Sequence, residues 1–316
     1  MTNLLDMRDA FFDSLYEYVA EDRDVIVMTA DHGAFGLKKI AKDFPDQFYN
    51  VGISEQTMIS VAAGLAMSGK KVYAYAINNF VSLKTIEQVN VDVCSMNLDV
   101  NIIAVGAGFT YSTDGPTHQG IQDVSVMCNV PNLSVYNVSD AVSTQKLVGL
   151  SYQKSGPKYF RIEKGILPSI YSDSDSIESG CSVINHASSN VGVISTGFMT
   201  HVCMDAISEI KSENNFDISL LDITSLRPLP EREIIEYCSG KDILIIEENI
   251  KSGGIGEKIC ALLKRSSHKN KVSCISIKDG FHFIFGDREL LHNICKIDKN
   301  SIKLKILTMS EESNVL

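Results

Sequence analysis

The sequence predicts an α/β protein of two domains, each built around a mainly parallel β-sheet. Short apolar runs of strand length alternate with helix-length segments along most of the 316 residues. Loop-forming residues cluster in 172–176 and 188–190, after which the alternation begins again. We therefore expect one domain in residues 1–165, a linker in 166–190 and a second domain in 191–316.

The first predicted domain opens with an amphipathic helix, Asp6 to Val19, which places Phe11, Leu15 and Tyr18 on one face. Its strands are short apolar runs, as expected for a sheet covered on both faces. The predicted strands are 25–28, 48–51, 72–76, 101–105, 133–138 and 159–162. The further predicted helices are a short one ending in 40–44, then 56–67, 81–96, 119–127 and 140–154.

The second predicted domain repeats this alternation without recognisable sequence symmetry to the first. Its glycine-rich segment Ser252–Glu257 lacks the GxGxxG spacing of a dinucleotide loop, so we interpret it as a tight turn between a strand and a helix. The predicted strands are 191–195, 218–222, 243–247 and 272–277. The predicted helices are 199–211, 231–238 and 255–263.

The amino-acid composition limits the kinds of partner this protein can bind and the cell compartment in which we expect it. A net charge of −10 and a pI near 5.2 argue against nucleic acid or an anionic membrane as a partner. The eight cysteines include no CxxC pair, so we expect reduced core thiols rather than disulfides or a zinc site. The N-terminus lacks the apolar region of a signal peptide, and no apolar run reaches transmembrane length. These features predict a cytoplasmic protein.

The first candidate for chemistry is Glu55, which follows the turn Val51–Ser54 and precedes an apolar helix. Gly52 permits the tight turn, and Ser54 is a candidate N-cap. The helix 56–67 is apolar nearly all round, which predicts burial. A carboxylate at the mouth of a buried helix needs a partner. Two interpretations follow: a structural ion pair, or a group kept there to handle a proton.

The densest polar cluster lies after strand 101–105, where ligands of parallel sheets bind. Asp114 and His118 flank a Gly-Pro turn there, and could bind sugar hydroxyls or shuttle protons. The alternative is a helix cap beside a surface histidine. Phe80, in the loop after strand 72–76, could stack on a flat heteroaromatic ring or simply pack in the core.

Taken together and in order, these segments resemble the C-terminal half of the transketolase family of thiamine diphosphate enzymes. Each matching motif is modest, but their order is specific. The matching segments are Thr-Ala-Asp at 29–31, Phe-Pro-Asp-Gln-Phe at 44–48, Val-Gly-Ile-Ser-Glu-Gln at 51–56, Ala-Ala-Gly-Leu-Ala at 62–66, Asp-Gly-Pro-Thr-His-Gln at 114–119, Val-Pro-Asn at 130–132, Glu-Glu at 247–248 and Ser-Gly-Gly-Ile-Gly at 252–256.

The resemblance implies roles in binding thiamine diphosphate. Glu55 would hydrogen-bond N1′ of the aminopyrimidine ring and supply a proton there, which makes it a catalytic residue. Phe80 would stack on that ring, with Ile77 in the same pocket. Asp31 lies in the family loop at 29–31 and is a further candidate cofactor contact.

The resemblance also implies substrate contacts. Asp114 and His118 would contact the hydroxyls of the ketose donor, and His118 would also act in catalysis. Lys164 and Arg161 lie near the family position of a phosphate-binding arginine.

Two residues depart from the family pattern in the substrate region. Gly106 stands where the family usually has a substrate-binding histidine, and His32 stands in place of a leucine and could substitute for it. The loss of the usual histidine puts phosphate recognition in doubt. It points to an unusual sugar, either nucleotide-linked or not phosphorylated.

The family's GDG…N motif for Mg²⁺ and the diphosphate is absent from this sequence. We therefore expect the C-terminal subunit of a split transketolase, with no metal ligands of its own. A separate N-terminal subunit would bind Mg²⁺, in an α2β2 assembly. The alternatives are a β-type subunit of a deoxyxylulose-phosphate-synthase-like enzyme or a 2-oxoacid dehydrogenase, or a non-catalytic partner subunit.

Overall fold

The computed structural model describes residues 5–214 and 216–313, which form two β-sheets with helices packed on their faces. The strands are β1 (Val25–Thr29), β2 (Phe48–Asn50), β3 (Lys71–Ile77), β4 (Val100–Val105), β5 (Ser134–Asn137), β6 (Lys158–Ile162), β7 (Cys181–Asn185), β8 (Val191–Ser195), β9 (Ser219–Ile223), β10 (Ser225–Arg227), β11 (Asp242–Ile250) and β12 (Val272–Ile277). The α-helices are α1 (Met7–Glu21), α2 (Phe35–Asp43), α3 (Glu55–Met67), α4 (Asn78–Val81), α5 (Ile86–Gln88), α6 (Asp123–Met127), α7 (Ala141–Gln153), α8 (Phe198–Asn214), α9 (Glu231–Cys238), α10 (Ile255–Arg265), α11 (Arg288–Cys295) and α12 (Lys299–Ser313).

The first sheet has seven strands in the order β10-β5-β6-β4-β3-β1-β2, and the second has five in the order β12-β11-β8-β9-β7. Neighbouring strands are parallel, except that β10 runs antiparallel to β5 and β7 antiparallel to β9. Every residue of β1 and β4 is buried, as their largely apolar sequences predict. The predicted α/β class with mainly parallel sheets is confirmed.

The register of the first sheet brings four strand ends to one edge. Thr29 at the end of β1 lies opposite Tyr75 of β3, and Ile77 at the end of β3 lies opposite Val105 of β4. Val105 in turn lies opposite Ile162, the last residue of β6. The loops that follow β1, β3, β4 and β6 therefore meet at the edge where parallel sheets bind their ligands.

Three parts of the chain differ from the prediction. Strand β10 comes from the second half of the sequence yet extends the first sheet. Strand β7 lies within the range predicted as a linker, and α11 and α12 follow β12, where no element was predicted. At three residues, β10 is too short to show the alternation that identifies a strand.

The predicted helix 81–96 is also wrong in detail. The chain instead forms α4, then α5, and then a π-helical turn, Val89–Cys94. The hydroxyls of Ser82 and Thr85 donate to the carbonyls of Asn78 and Val81, at 2.6 and 2.8 Å. Such bonds from side chains back to the helix bend it, and apolar periodicity does not reveal them.

A buried ion network joins the two sheets. Arg288 of α11 lies 2.9 Å from Oε2 of Glu163, just after β6, and also bonds Glu248 of β11. His292 bonds the same Glu248 carboxylate. Burial acts to raise the pKa of Glu248, but the charge of Arg288 and the neighbouring His292 hold it well below its usual range. Paired charges therefore link the two halves of the chain.

The cysteines only partly match the expectation of core thiols. Five are buried, but Cys274 is exposed and its Sγ lies 3.5 Å from Sγ of Cys260. Among the described residues, no helix combines the length and apolar character needed to cross a membrane.

Candidate active site

Glu55 is the first residue of α3, directly after the turn from β2. Gly52 makes that turn with φ of 72°, a conformation that favours glycine. Ser54 occupies the N-cap position, but its hydroxyl bonds the hydroxyl of Thr57 instead of a backbone N–H. The Glu55 side chain points inward, and the residue is only 3% exposed. The predicted burial of this carboxylate is therefore present in the structure.

Lys84 is the partner that a buried Glu55 requires. Its Nζ lies 2.5 Å from Oε2 of Glu55, while its own side chain is 44% exposed. Among the described residues, this is the one hydrogen bond that the Glu55 side chain makes, so Oε1 stays available to a ligand. No sequence pattern indicated Lys84, because it lies 29 positions from Glu55 along the chain.

Only one side of α3 is buried, in contrast to the prediction of a helix buried all round. Glu55, Met58, Ile59, Ala62 and Ala63 face the core. Apolar composition alone does not show which sides of a helix are covered, so it could not predict this one-sided burial. The exposed positions of this helix are Gln56, Thr57, Ser60, Val61, Gly64 and Met67.

Phe80 lies beside Glu55 and its lysine partner. It belongs to α4 at the end of β3, where it is half-buried, and Ile77 immediately precedes this helix. The edge of the His118 ring meets Phe80 with 5.0 Å between ring centroids, and Lys84 Nζ lies 6.0 Å from the Phe80 centroid. The structure thus brings four side chains, Glu55, Lys84, Phe80 and His118, into one continuous row.

The loop 114–119 is held against α4 by Asn79. Its side-chain amide donates to the carbonyls of Thr117 and Gln119, at 3.0 and 3.1 Å. Nδ1 of His118 lies 3.0 Å from the Thr117 hydroxyl. Asp114, in contrast, is exposed at the end of a 3₁₀ turn. The loop therefore fixes His118 towards Phe80 and leaves the Asp114 carboxylate open to solvent or to a ligand.

Arg161 is a core residue, which corrects its assignment as a substrate contact. Its Nε donates to Asp123 at 3.0 Å, and its Nη2 donates to the carbonyls of Gly120 and Glu248 at 2.7 and 3.1 Å. It is only 4% exposed. A buried guanidinium bonded through Nε and Nη2 holds β6 against the neighbouring loops, which favours a structural role over contact with a sugar.

Tyr111 fills the space beside Gly106. A Cβ at position 106 would lie 2.3 Å from Cε2 of Tyr111, and Gly106 has φ of 97°. Burial raises the pKa of the Tyr111 phenol to about 12. Lys164 is exposed, with Nζ 5.1 Å from the Tyr111 centroid, and the His118 ring lies 6.3 Å away on another side. In the sequence, the feature that could have indicated this arrangement is Tyr111 itself, an aromatic residue five positions after Gly106.

His32 lies near the same group, after the end of β1. Its ring is 5.3 Å from the Tyr75 ring. Burial, together with the charges of Arg8 and Lys164, lowers the pKa of His32 to about 4, so the imidazole is neutral near pH 7. Asp31 is exposed, and its backbone N–H donates to Oδ1 of Asn50 at 3.1 Å. A ligand contact of Asp31 stays a prediction.

The residues around Glu55 suit an aminopyrimidine ring. A buried carboxylate with one unbonded oxygen can accept or donate a hydrogen bond at a ring nitrogen. The half-buried Phe80 offers an apolar ring for stacking. Both groups lie at the sheet edge where the loops meet, so the pyrimidine half of thiamine diphosphate fits the donor and acceptor set of this chain.

Family models match most of the chain. The model described as "Transketolase, pyrimidine binding domain" matches residues 3–169, and "Transketolase, C-terminal domain" matches residues 180–302. The chain belongs to the transketolase family. Its two domains are those of the C-terminal half of a transketolase, in the same order.

Individual relatives support this assignment. The chain is 30% identical over 282 residues to one of the subunits of the apulose-4-phosphate transketolase of Phocaeicola vulgatus, covering 88% of this chain and 89% of that protein. It is also 30% identical over 292 residues to 1-deoxy-D-xylulose-5-phosphate synthase of Clostridium perfringens, and there it spans only 46% of the relative's length. Among solved structures, it is similar to a split gene transketolase in an inactive β4 tetramer, with a TM-score of 0.85, 26% identity and coverage of 97% of this chain and 99% of that chain.

Proposed function

We propose that this chain is the C-terminal subunit of a thiamine-diphosphate-dependent transketolase, which transfers a two-carbon ketol unit from a ketose to an aldose. In this proposal it acts only with a separate N-terminal subunit that carries the GDG…N motif and holds Mg²⁺. The two kinds of subunit would form an α2β2 assembly. The observation that carries the proposal is the buried Glu55 carboxylate, with one free oxygen, next to Phe80 at the ligand edge of the sheet.

The residues of this chain would divide the work as follows. When bound, thiamine diphosphate supplies the electron sink for breaking a C–C bond next to a carbonyl group. Glu55 would hold a proton at N1′ of the pyrimidine, and Phe80 would pack on that ring and keep water from it. His118, which contacts Phe80 and Thr117, would move a proton at a substrate hydroxyl. The exposed Asp114 would bind a second hydroxyl.

The half-exposed α3 supports the need for a partner. Ile53, Val61 and Met67 are 78%, 42% and 63% exposed on the side of this segment that faces away from the core. Exposed apolar side chains along this segment favour a protein contact there. Because this face begins beside Glu55, a subunit seated there would close the cofactor site from the open side.

The first experiment is co-expression with a candidate N-terminal subunit. We expect the two chains to copurify and to catalyse ketol transfer when thiamine diphosphate and Mg²⁺ are present, while this chain alone is inactive. Val61→Arg, on the exposed face of α3, should prevent copurification. Leu304→Arg, at a 68% exposed position on α12, is the matched control and should not. Copurification unaffected by Val61→Arg would contradict the proposed interface.

A second candidate function is that of a deoxyxylulose-phosphate-synthase-like subunit, which the similarity to the Clostridium perfringens enzyme favours. The two candidates differ in the donor. The reconstituted complex should use a ketose as donor if it is a transketolase, and pyruvate if it resembles the synthase. The loop Asp114–Gln119, whose sequence resembles the sugar-binding loop of transketolases, favours the ketose.

A further inference from the structure

We propose that Tyr75, Tyr111 and His32 form a subsite for an uncharged, hydroxyl-bearing end of the sugar substrate, and that Tyr111 shapes this subsite against a phosphate group. This inference rests on the proposed ketol-transfer function and names the class of substrate that the site would accept.

The subsite is defined by buried polar atoms without partners. Among the described residues, the hydroxyls of Tyr75 and Tyr111 and Nε2 of His32 make no hydrogen bond. Tyr75 is 0% and Tyr111 is 8% exposed. Buried polar groups in native proteins are almost always bonded, and each exception calls for an explanation such as a ligand. Hydroxyl groups of a sugar can both donate to and accept from these three groups.

These three groups lie together and adjoin the proposed cofactor site. His32 and Tyr75 are in ring contact, with centroids 5.3 Å apart. The Arg8 guanidinium is close enough to act on the pKa of all three groups, lowering that of His32 and opposing the rise that burial causes in both tyrosines. Tyr111 is 6.3 Å from His118, which contacts Phe80. A substrate extending from the cofactor past His118 would therefore reach Tyr111 first.

The charges around the subsite are balanced, which favours an uncharged ligand over a dianion. Arg8 is already paired with Asp6, with Nε–Oδ1 and Nη2–Oδ2 distances of 3.0 and 3.1 Å. The remaining cation, Lys164, faces Tyr111, and the Asp114 carboxylate also acts on that tyrosine. His32 is neutral near pH 7 because burial lowers its pKa. A phosphate would need surplus positive charge that this balance does not supply.

Tyr111 occupies the volume that a side chain at position 106 would otherwise fill. Only a glycine at 106 leaves room for the ring, since a Cβ there would lie 2.4 Å from Cδ2 of Tyr111. Position 106 therefore carries no side chain, and the phenol of Tyr111, from the loop after β4, lies in that space. The shape and hydrogen bonding of this end of the site depend on that phenol.

Tyr73 provides a matched control. It precedes Tyr75 by two positions on β3, so both rings lie on the same face of the sheet, and it is equally buried at 0% exposure. Its hydroxyl, however, lies 2.9 Å from Oγ of Ser151. Removing the Tyr73 hydroxyl breaks a hydrogen bond within the protein, whereas the Tyr75 hydroxyl makes none among the described residues.

The test compares xylulose with xylulose 5-phosphate as donor for the complex reconstituted with the N-terminal subunit. We expect kcat/KM for xylulose to equal or exceed that for the phosphate. Tyr75→Phe and Tyr111→Phe should each lower kcat/KM for xylulose by about ten-fold without lowering the midpoint of thermal unfolding. Tyr73→Phe should lower that midpoint and leave the donor preference unchanged. A ten-fold preference for the phosphate, or loss of stability without loss of donor selectivity in the two subsite variants, would overturn the inference.

The same assay distinguishes failure of the proposed function from failure of the subsite. If the complex transfers no ketol unit from either donor, that function is wrong, and calorimetric titration of the complex with xylulose then decides the subsite. Binding that Tyr111→Phe weakens about ten-fold, and Tyr73→Phe does not, supports the subsite. Absence of xylulose binding, or equal binding by both variants, overturns it.

Discussion

The ammonium group of Lys84 lies 2.5 Å from Oε2 of Glu55. In the isolated chain, the buried carboxylate of the proposed cofactor site therefore forms an ion pair with this lysine. Removing the lysine leaves a buried charge without its partner. Because the Lys84 side chain is 44% exposed, water compensates for part of the loss. We expect Lys84→Met to lower the free energy of unfolding by roughly 1 kcal/mol in urea titrations.

Lys70→Met is the control for this prediction. Lys70 pairs with Asp24 at 2.6 Å, but the Asp24 side chain is 62% exposed, so no buried charge is left behind. Its loss should change stability by only a few tenths of a kcal/mol, about 0.3. Equal effects of the two substitutions would show that burial of Glu55 does not matter to the pair.

Arg288 should contribute most to the stability of the contact between the two halves. It bonds two nearly buried carboxylates, Glu163 and Glu248, whose side chains are 3% and 2% exposed. Arg288→Leu would remove the guanidinium from both carboxylates and leave Glu248 its bond to His292, and we expect a loss of about 3–5 kcal/mol in the free energy of unfolding. Chemical denaturation, followed by circular dichroism, measures this loss.

Arg265→Leu is the matched control. Arg265 pairs with Glu231 at 3.7 Å, and both side chains are more than half exposed, at 66% and 58%. This exposed pair should contribute less than about 1 kcal/mol. If Arg288→Leu proves as mild as Arg265→Leu, the network is not what holds the halves together.

His32 should make stability depend on pH. Burial and two nearby cations lower its folded-state pKa from 6.5 to about 4. Below pH 6.5 the unfolded chain therefore binds a proton at His32 that the folded chain does not bind until the pH nears 4. The free energy of unfolding thus falls as the pH drops from 6.5 towards 4. In urea titrations at a series of pH values, His32→Asn should lose less stability over this range than the wild type. Identical pH profiles would mean that His32 titrates normally.

Much of the fold could be predicted from the sequence because its causes are local. Strands such as β1 and β4 are largely apolar runs, and both were predicted within a residue or two of their bounds. Helix α9 and strand β12 begin and end where they were predicted. The α/β alternation follows from these elements. Pairings that depend on distant contacts could not be predicted, as β10 shows by joining β5 across the chain.

Site residues that belong to a recognisable motif at a predicted strand or helix end could be predicted. Their contacts with residues far away along the chain could not. Glu55 could be placed at the start of α3 and His118 at the sheet edge. Lys84 bonds Glu55 from the segment between α4 and α5, a contact between distant positions that periodicity does not show. Tyr111 is positioned by the loop after β4. The sequence could not show that Arg161 is engaged by Asp123, because that contact joins β6 to α6.

The most direct test of the central claim is the ketol-transfer rate of the reconstituted complex with Glu55→Gln, at saturating thiamine diphosphate and Mg²⁺. Glutamine keeps the size of the side chain but cannot hold an acidic proton at the cofactor ring. Glu236→Gln, at an exposed position on α9, is the control and should keep full activity. We predict that Glu55→Gln lowers the ketol-transfer rate of an intact complex by at least about 100-fold. Full activity of that variant would contradict it.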